Sequence, residues 1–301
     1  MKTKSKVPTT KKNGKNKTRQ EISQTITRLE NRDPKGLNEL STYFEAGKSL
    51  RHTVCFTGPA GVGKSSLISE LALAKLKRDE KSTLAWLACD PSSPQSGGSL
   101  LGDRIRLAGR EVRNPERLFV RSLSTRSTSA FSHAIRDIEV FLSRFFDEVW
   151  VETAGSGQTQ SEVASLSEIT VLILQPETGD DIQWLKSGVR EICDLFIVNK
   201  SDLPGAEAMT QSLVDLGIEP QRVIQCSVKE QKGFDAILER IEDLQKSSSQ
   251  KYRLARLYQK HAEALFLEQE MQKLERKLAK IRRASNFRNP YHFLSKGRKR
   301  K

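Results

Sequence analysis

Short apolar runs alternate with longer amphipathic segments through most of this 301-residue chain. The runs predict strands over His52–Thr57, Thr83–Cys89, Leu118–Arg121, Glu148–Glu152, Thr170–Gln175, Leu195–Asn199 and Arg222–Cys226. Unbroken stretches such as ITVLIL mean strands covered on both faces, hence a mostly parallel sheet flanked by helices, an α/β fold. No internal repeat interrupts this rhythm. Ahead of it, Ile22, Ile26 and Leu29 fall on one helical face, and a second short helix is predicted over Leu37–Ala46. Behind it, SSSQ at 247–250 reads as a linker before one long helix at 251–281. There Leu257, Ala264, Met271 and Leu278 recur every seven residues, as do Leu267, Leu274 and Ile281, with Lys260 as the one polar interruption. Such a seam suits a dimer arm, or else an amphipathic helix packed on its own domain. The expected organisation is a disordered basic tail (1–18), an N-terminal helical extension (19–50), the α/β domain (51–248), the C-terminal helix (249–283) and a second basic tail (284–301).

Charge sharpens the picture. The net charge is +14, but residues 1–20 contribute +8 and residues 249–301 contribute +12, leaving 21–248 at −6. The body is mildly acidic and the excess lies at the ends, as expected of tails that dock or solubilise rather than of a nucleic-acid groove. Mean hydropathy is −0.55, and no run approaches the roughly 18 apolar residues of a membrane span. The lysine-rich start has no apolar stretch behind it, so a secretory signal is not expected. Cys55, Cys89, Cys193 and Cys226 are far apart and form no CxxC, which argues against a disulfide framework or a zinc site. The expected compartment is the cytoplasm.

Three motifs carry chemistry. GPAGVGKS at 58–65 is a complete G-x-x-x-x-G-K-S immediately after a predicted strand and before a predicted helix. Gly58, Gly61, Val62 and Gly63 can curl backbone N–H groups around phosphate oxygens, with Ser66 in the first turn of a helix whose positive end faces them. Lys64 brings a cation to the β- and γ-phosphates, and Ser65 offers a hydroxyl to Mg²⁺. NKSD at 199–202 follows the strand LFIV about 135 residues later. Asp202 can accept from both N1–H and the exocyclic amine of guanine, a donor pair that adenine lacks, with Asn199 and Lys200 beside it. Ser227 and Val228, in CSVK, suit a segment closing over the base. ETAG at 152–155 reads as a DxxG element with Glu152 reaching Mg²⁺ and Gly155 sensing the γ-phosphate. The next residue is Ser156, not the glutamine that orients water in Ras-like proteins, so hydrolysis should be slow unless Gln158 or a partner fills that role.

DPSSPQSGGSLLGDR at 90–104, together with these motifs in this order and LILQPETGDDIQWLKSG at 172–188, resembles the MeaB/ArgK family of GTPases. These are G-protein chaperones of adenosylcobalamin-dependent methylmalonyl-CoA mutase, formerly named LAO/AO transport-system kinases. The resemblance covers about residues 20–245. It implies a P-loop NTPase of the SIMIBI class, binding GTP or GDP with Mg²⁺ and working as a homodimer through a long C-terminal helix. It also implies that Asp90 and Asp103 join Ser65 and Glu152 around Mg²⁺, with Lys64, Glu152, Asp90 and Gln158 in the catalytic set. Asp180, Asp181, Gln183 and Lys186 fall in the switch that signals nucleotide state to the mutase. The chain departs from the family at RSTSAF (126–131), where a glycine-rich turn is usual, at the longer ETAGSGQTQSE (152–162), and in its arm and tails. GTP binding is therefore a firmer expectation than the identity of the protein client, a cobalamin-dependent mutase or another. A P-loop kinase of a transport system and a GTP-dependent regulatory scaffold are the competing readings.

Overall fold

In the computed structural model, the structure describes residues 17–45, 52–90, 115–124, 129–153, 167–176 and 189–247, and most of 259–276. The chain divides into two compact units, Met1–Tyr258 and Gln259–Lys301. In the first unit the elements are α1 (Arg19–Glu30), α2 (Pro34–Glu45), β1 (His52–Thr57), α3 (Lys64–Arg78), β2 (Leu84–Asp90), β3 (Leu118–Ser124), α4 (Ser129–Leu142), β4 (Glu148–Glu152), β5 (Ile169–Leu174), β6 (Leu195–Val198), α5 (Ala206–Asp215), β7 (Val223–Gln225) and α6 (Phe234–Lys246). Every predicted strand is present, with ends displaced by a residue or so for most. β3 runs three residues further than its apolar pattern, because Arg121–Ser124 pair in register with Leu87–Asp90. Thr18, expected in the disordered tail, is instead the N-cap of α1. Its hydroxyl accepts from the Glu21 N–H, and the Glu21 carboxylate accepts from the Thr18 N–H, a reciprocal capping box.

The seven strands form one sheet in the order β3-β2-β4-β1-β5-β6-β7. All six pairings among the described residues are parallel, in line with the expected parallel sheet. Alternation along each strand sends residues to opposite faces. Val54, Phe56, Leu84, Trp86, Trp150, Val171, Ile173 and Ile197 pack with Leu67, Ile68 and Leu71 of α3 and Ile237 and Ile241 of α6. The intervening residues Cys55, Ala85, Leu87, Val149 and Val151 meet α4 and, from the N-terminal helices, Ile22, Ile26, Leu29 and Leu40. On that same face, Leu172, Leu174, Phe196 and Val198 meet Met209 and Leu213 of α5. The N-terminal helices therefore supply core to the domain. Each large apolar side chain so covered contributes about 1.5–3 kcal/mol. Polar ties fix the same helices. Arg32 pairs with the buried Asp137 of α4, Arg121 Nη2 lies 3.2 Å from Glu30, and Arg19 donates to the Leu118 carbonyl at 2.7 Å.

The two ends of the sheet differ. At its N-terminal edge, buried charges are paired: Lys75 Nζ stands 2.7 Å from Glu148, which also accepts from Trp150 Nε1 at 2.9 Å. His52 Nδ1 lies 3.0 Å from Glu168, whose own N–H donates to Thr53 Oγ1. Central β1 ends at the opposite, C-terminal edge between β4 and β5, where loops leave in different directions and open parallel sheets bind ligands.

The second unit carries helical residues between 259 and 276, with Phe266, Leu267 and Met271 exposed. No helix among the described residues is long and apolar enough to cross a membrane.

The His52 imidazole is held above its ordinary pKa chiefly by its hydrogen bond to Glu168, with burial opposing and the Glu168 and Glu148 charges assisting. A raised histidine pKa stabilises fully below about pH 6.5, the unperturbed value, and the contribution fades as pH rises through the folded value. His52→Gln should therefore lower the melting temperature more at pH 6 than at pH 8.5. An equal loss at both pH values would show that the pair adds no proton-linked stability.

Candidate functional site

The loop between β1 and α3 has a backbone that only particular residues can follow. Gly58 has φ +149° and a Cβ there would stand 2.1 Å from the Ile173 carbonyl oxygen; Gly63 has φ +87° and a Cβ would stand 2.8 Å from Asn199 Nδ2. Both positions exclude side chains, by collision as well as by backbone conformation. Gly63 is also the N-cap of α3, with no side chain capping the helix, and a helix start of this kind favours anions. Gly61 shares the positive φ, Val62 is buried behind it, and Ser65 and Ser66 lie in the first turn of α3.

What holds the loop is a set of side chains that take its carbonyls. Lys64 Nζ donates to the Gly58 oxygen at 3.0 Å and the Pro59 oxygen at 2.7 Å. Lys200 Nζ donates to Gly61 O at 2.9 Å, and Asn199 Nδ2 donates to Val62 O at 2.8 Å. In a trans peptide the C=O and the following N–H point opposite ways. Drawing the carbonyls outward turns the N–H groups of Ala60, Val62 and Gly63 to the other side, the arrangement of an anion-binding nest. The Lys64 side chain is largely buried. Burial lowers its pKa and the Glu152 charge works against that lowering.

Glu152, the last residue of β4, is buried, and its Oε1 accepts from Ser65 Oγ at 2.5 Å. Beside it Thr153 donates from its N–H to Phe56 O at 3.0 Å and from its hydroxyl to Thr57 Oγ1 at 2.9 Å, tying the end of β4 to the last turn of chain before Gly58. A hydroxyl and a carboxylate, both hard oxygen donors, thus converge at the helix start, a pair that fits Mg²⁺. Asp90 ends β2, the strand next to β4, at this same edge of the sheet. Asp103, Gly155 and Gln158, and the switch residues Asp180, Asp181, Gln183 and Lys186, lie outside the described residues.

NKSD emerges from β6 beside the loop. Asn199 is 2% exposed; its N–H donates to Leu174 O at 2.8 Å, and its Oδ1 accepts from Cys226 Sγ at 3.4 Å. Lys200 has φ +58° and also reaches Gln175 Oε1 at 2.5 Å. Asp202 accepts from Ser227 Oγ at 2.5 Å and stands 3.4 Å from Lys229 Nζ. The Ser227 hydrogen bond, with Lys229 assisting, lowers its pKa, so it is an anion ready to accept. Ser227 is fully buried, and Val228 packs on the core next to it. The structure brings together Gly58, Gly61, Val62, Gly63, Lys64, Ser65, Glu152, Asn199, Lys200, Asp202 and Ser227, drawn from four loops at one edge. Thr57, Thr153, Gln175 and Cys226 belong to the same assembly, although the sequence assigned none of them a role there. The signal for them is position alone, each at or next to the C-terminal end of a strand whose neighbour carries a motif.

The model of the family described as methylmalonyl-CoA mutase-associated GTPase MeaB matches residues 22–283. A Pyrococcus horikoshii protein named as a GTPase is 37% identical over 204 residues, 62% of this chain and 63% of the relative. The match thus spans less than two thirds of that relative's length. A fused isobutyryl-CoA mutase of Cupriavidus metallidurans is 36% identical over 194 residues, 63% of this chain but 17% of the mutase. Among solved structures, an LAO/AO transport system kinase superposes with a TM-score of 0.60 at 24% identity, covering 86% of this chain and 82% of that one, which supports the fold.

Glu152→Gln keeps the shape and the Ser65 contact but removes a charge from the proposed Mg²⁺ site. Turnover of GTP should fall at least about tenfold, one lost charge interaction of roughly 1.4 kcal/mol or more, while the affinity for GDP without Mg²⁺ changes little. Equal losses in steady-state turnover and in Mg²⁺-free GDP binding would mean that Glu152 supports the fold rather than the metal.

Proposed function

The chain belongs to the MeaB family of methylmalonyl-CoA mutase-associated P-loop GTPases, and from that premise we propose that it binds and hydrolyses GTP to gate an adenosylcobalamin-dependent acyl-CoA mutase. The observation that carries the nucleotide half is the direct bridging of NKSD to the P-loop, Asn199 to Val62 and Lys200 to Gly61, which supports a base reader and a phosphate cradle working side by side. A GTP molecule would seat its phosphates on the N–H groups of the loop and the start of α3. Lys64, with two of its three N–H groups on the Gly58 and Pro59 carbonyls, would turn the third to phosphate oxygens, and Asp202, kept anionic by Ser227, would accept from guanine N1–H and N2–H₂. Ser65 and Glu152, with Asp90 and Asp103, would hold Mg²⁺. When bound, the ion would neutralise phosphate charge at the reacting end of the nucleotide. Hydrolysis adds water to the γ-phosphate and releases GDP and phosphate. With Ser156 after Gly155, this chain supplies no glutamine there to orient the water, so the rate should be slow without a partner or Gln158.

The client half rests on the family's description and on the relative in which a matching region is fused to a mutase. A cargo-gating GTPase needs its client to distinguish nucleotide states, which requires differential affinity. Purified methylmalonyl-CoA mutase and isobutyryl-CoA mutase should each be tested for capture by the protein loaded with GDP, with a non-hydrolysable GTP analogue, or with nothing. Capture of one of them that changes at least about tenfold between nucleotide states is expected. Failure of both to bind in any state, with GTPase activity intact, would remove the mutase reading.

The second unit serves as the dimer arm in this proposal. Leu267 and Met271, both on the heptad seam, and Phe266 beside them are exposed along the helix, where a partner seam would cover them. Protein ending at Ser247 should shift towards monomer in light scattering. A truncated protein with the full-length mass would rule out the arm without touching the nucleotide site.

A further inference from the structure

We infer that Gln175, near the start of the 172–188 segment and outside the P-loop, ETAG and NKSD, is a positioning residue for the guanine site, and that it acts through Lys200; this rests on the guanine-nucleotide reading above. Six consecutive buried apolar residues make up β5, and Gln175 is the first polar residue after them, at the edge where the site lies. It is not there to extend the sheet, because the pairing of β5 with β6 stops at Leu174 and Val198. Instead the chain continues into one further bond, from Asn199 N–H to Leu174 O, which sets the 199–200 peptide alongside Gln175. From that position Gln175 Oε1 accepts from Lys200 Nζ at 2.5 Å.

The geometry leaves Lys200 dependent on this contact. Lys200 sits at the left-handed φ of +58°, so its backbone is already held by neighbours rather than by its own preference. Its side chain is long and rotatable, and it must reach the Gly61 carbonyl across 139 residues of sequence. An ammonium has three donors in no fixed plane. A second acceptor fixes its direction, and Gln175 is that acceptor. The amide suits the place. It offers a strong acceptor without adding a negative charge next to a loop built to take phosphates. Asn199 is served in a comparable way from the other side, by Cys226, so both loop-bridging side chains of NKSD are steadied by a residue at or next to the end of a neighbouring strand.

Gln175→Leu keeps the side-chain size and removes the acceptor; Gln175→Glu keeps an acceptor in the same place. Release of N-methylanthraniloyl-GDP, followed by stopped-flow fluorescence, should speed up about tenfold in Q175L and stay within about threefold of wild type in Q175E. The unliganded melting temperature should hold in both. In a Lys200→Ala background, Q175L should add nothing further, because the residue it serves is gone; this coupling is readable even if Q175L alone is less stable. Unchanged release from Q175L, equal acceleration by Leu and Glu, or an undiminished effect of Q175L in the Lys200→Ala protein would each overturn the inference alone. Wild-type protein that does not bind the fluorescent GDP would overturn both the inference and the reading beneath it.

Discussion

A loop that turns its N–H groups towards a phosphate must turn its carbonyls away, and those carbonyls need donors of their own. In this chain Gly58, Pro59, Gly61 and Val62 find them in Lys64, Lys200 and Asn199. The Gly58 and Val62 carbonyls make buried bonds, and leaving either without a partner would cost about 1–3 kcal/mol, so Lys64 and Asn199 are needed for the loop to keep its shape. The requirement explains several features at once. Gly58 and Gly63 are glycines because the loop passes against Ile173 and Asn199 with no room for a Cβ. The strand order puts β5 directly beside β1 and β6 beside β5, which is the only reason that NKSD can reach the loop at all. On the proposed reading, base recognition and phosphate binding would be one structural problem solved by one set of bonds.

The remainder of the domain divides its labour along the strands. At the N-terminal edge the charged residues neutralise one another, as Lys75 does with Glu148 and His52 with Glu168. At the C-terminal edge the charged groups are directed into the site instead. Lys64 rests on backbone carbonyls, Glu152 on a serine hydroxyl, and Asp202 on Ser227 and the edge of an exposed lysine. On the proposed reading these are the groups that a nucleotide and its metal would meet.

Much of this was legible in the sequence. The strands followed from apolar runs, because a strand covered on both faces can tolerate little else, and the motifs named the residues that now meet at one edge. Strand order was not legible, since a run such as ITVLIL is equally content beside any neighbour. The C-terminal end of β3 escaped because pairing with β2 carries polar residues as far as Ser124. Thr18 was misplaced although T-x-x-E was visible, its lysine-rich surroundings outweighing the capping signal. Gln175 and Cys226 escaped for a different reason. They touch NKSD only through the tertiary fold, and nothing in their local sequence marks a glutamine or a cysteine as the support of a distant side chain.

The central claim is that this edge of the sheet reads guanine through Asp202, and nucleotide competition tests it most directly. GTP, ATP and xanthosine triphosphate should compete against a fluorescent guanine nucleotide on wild-type protein and on Asp202→Asn. GTP should outcompete ATP by at least about a hundredfold on wild type, because two hydrogen bonds to a charged acceptor are lost with adenine. The variant should lose affinity for GTP and gain it for xanthosine triphosphate, whose C2 carbonyl accepts from the new amide. Equal binding of ATP and GTP by wild type, or an Asp202→Asn protein with the wild-type order of preference, would contradict the account.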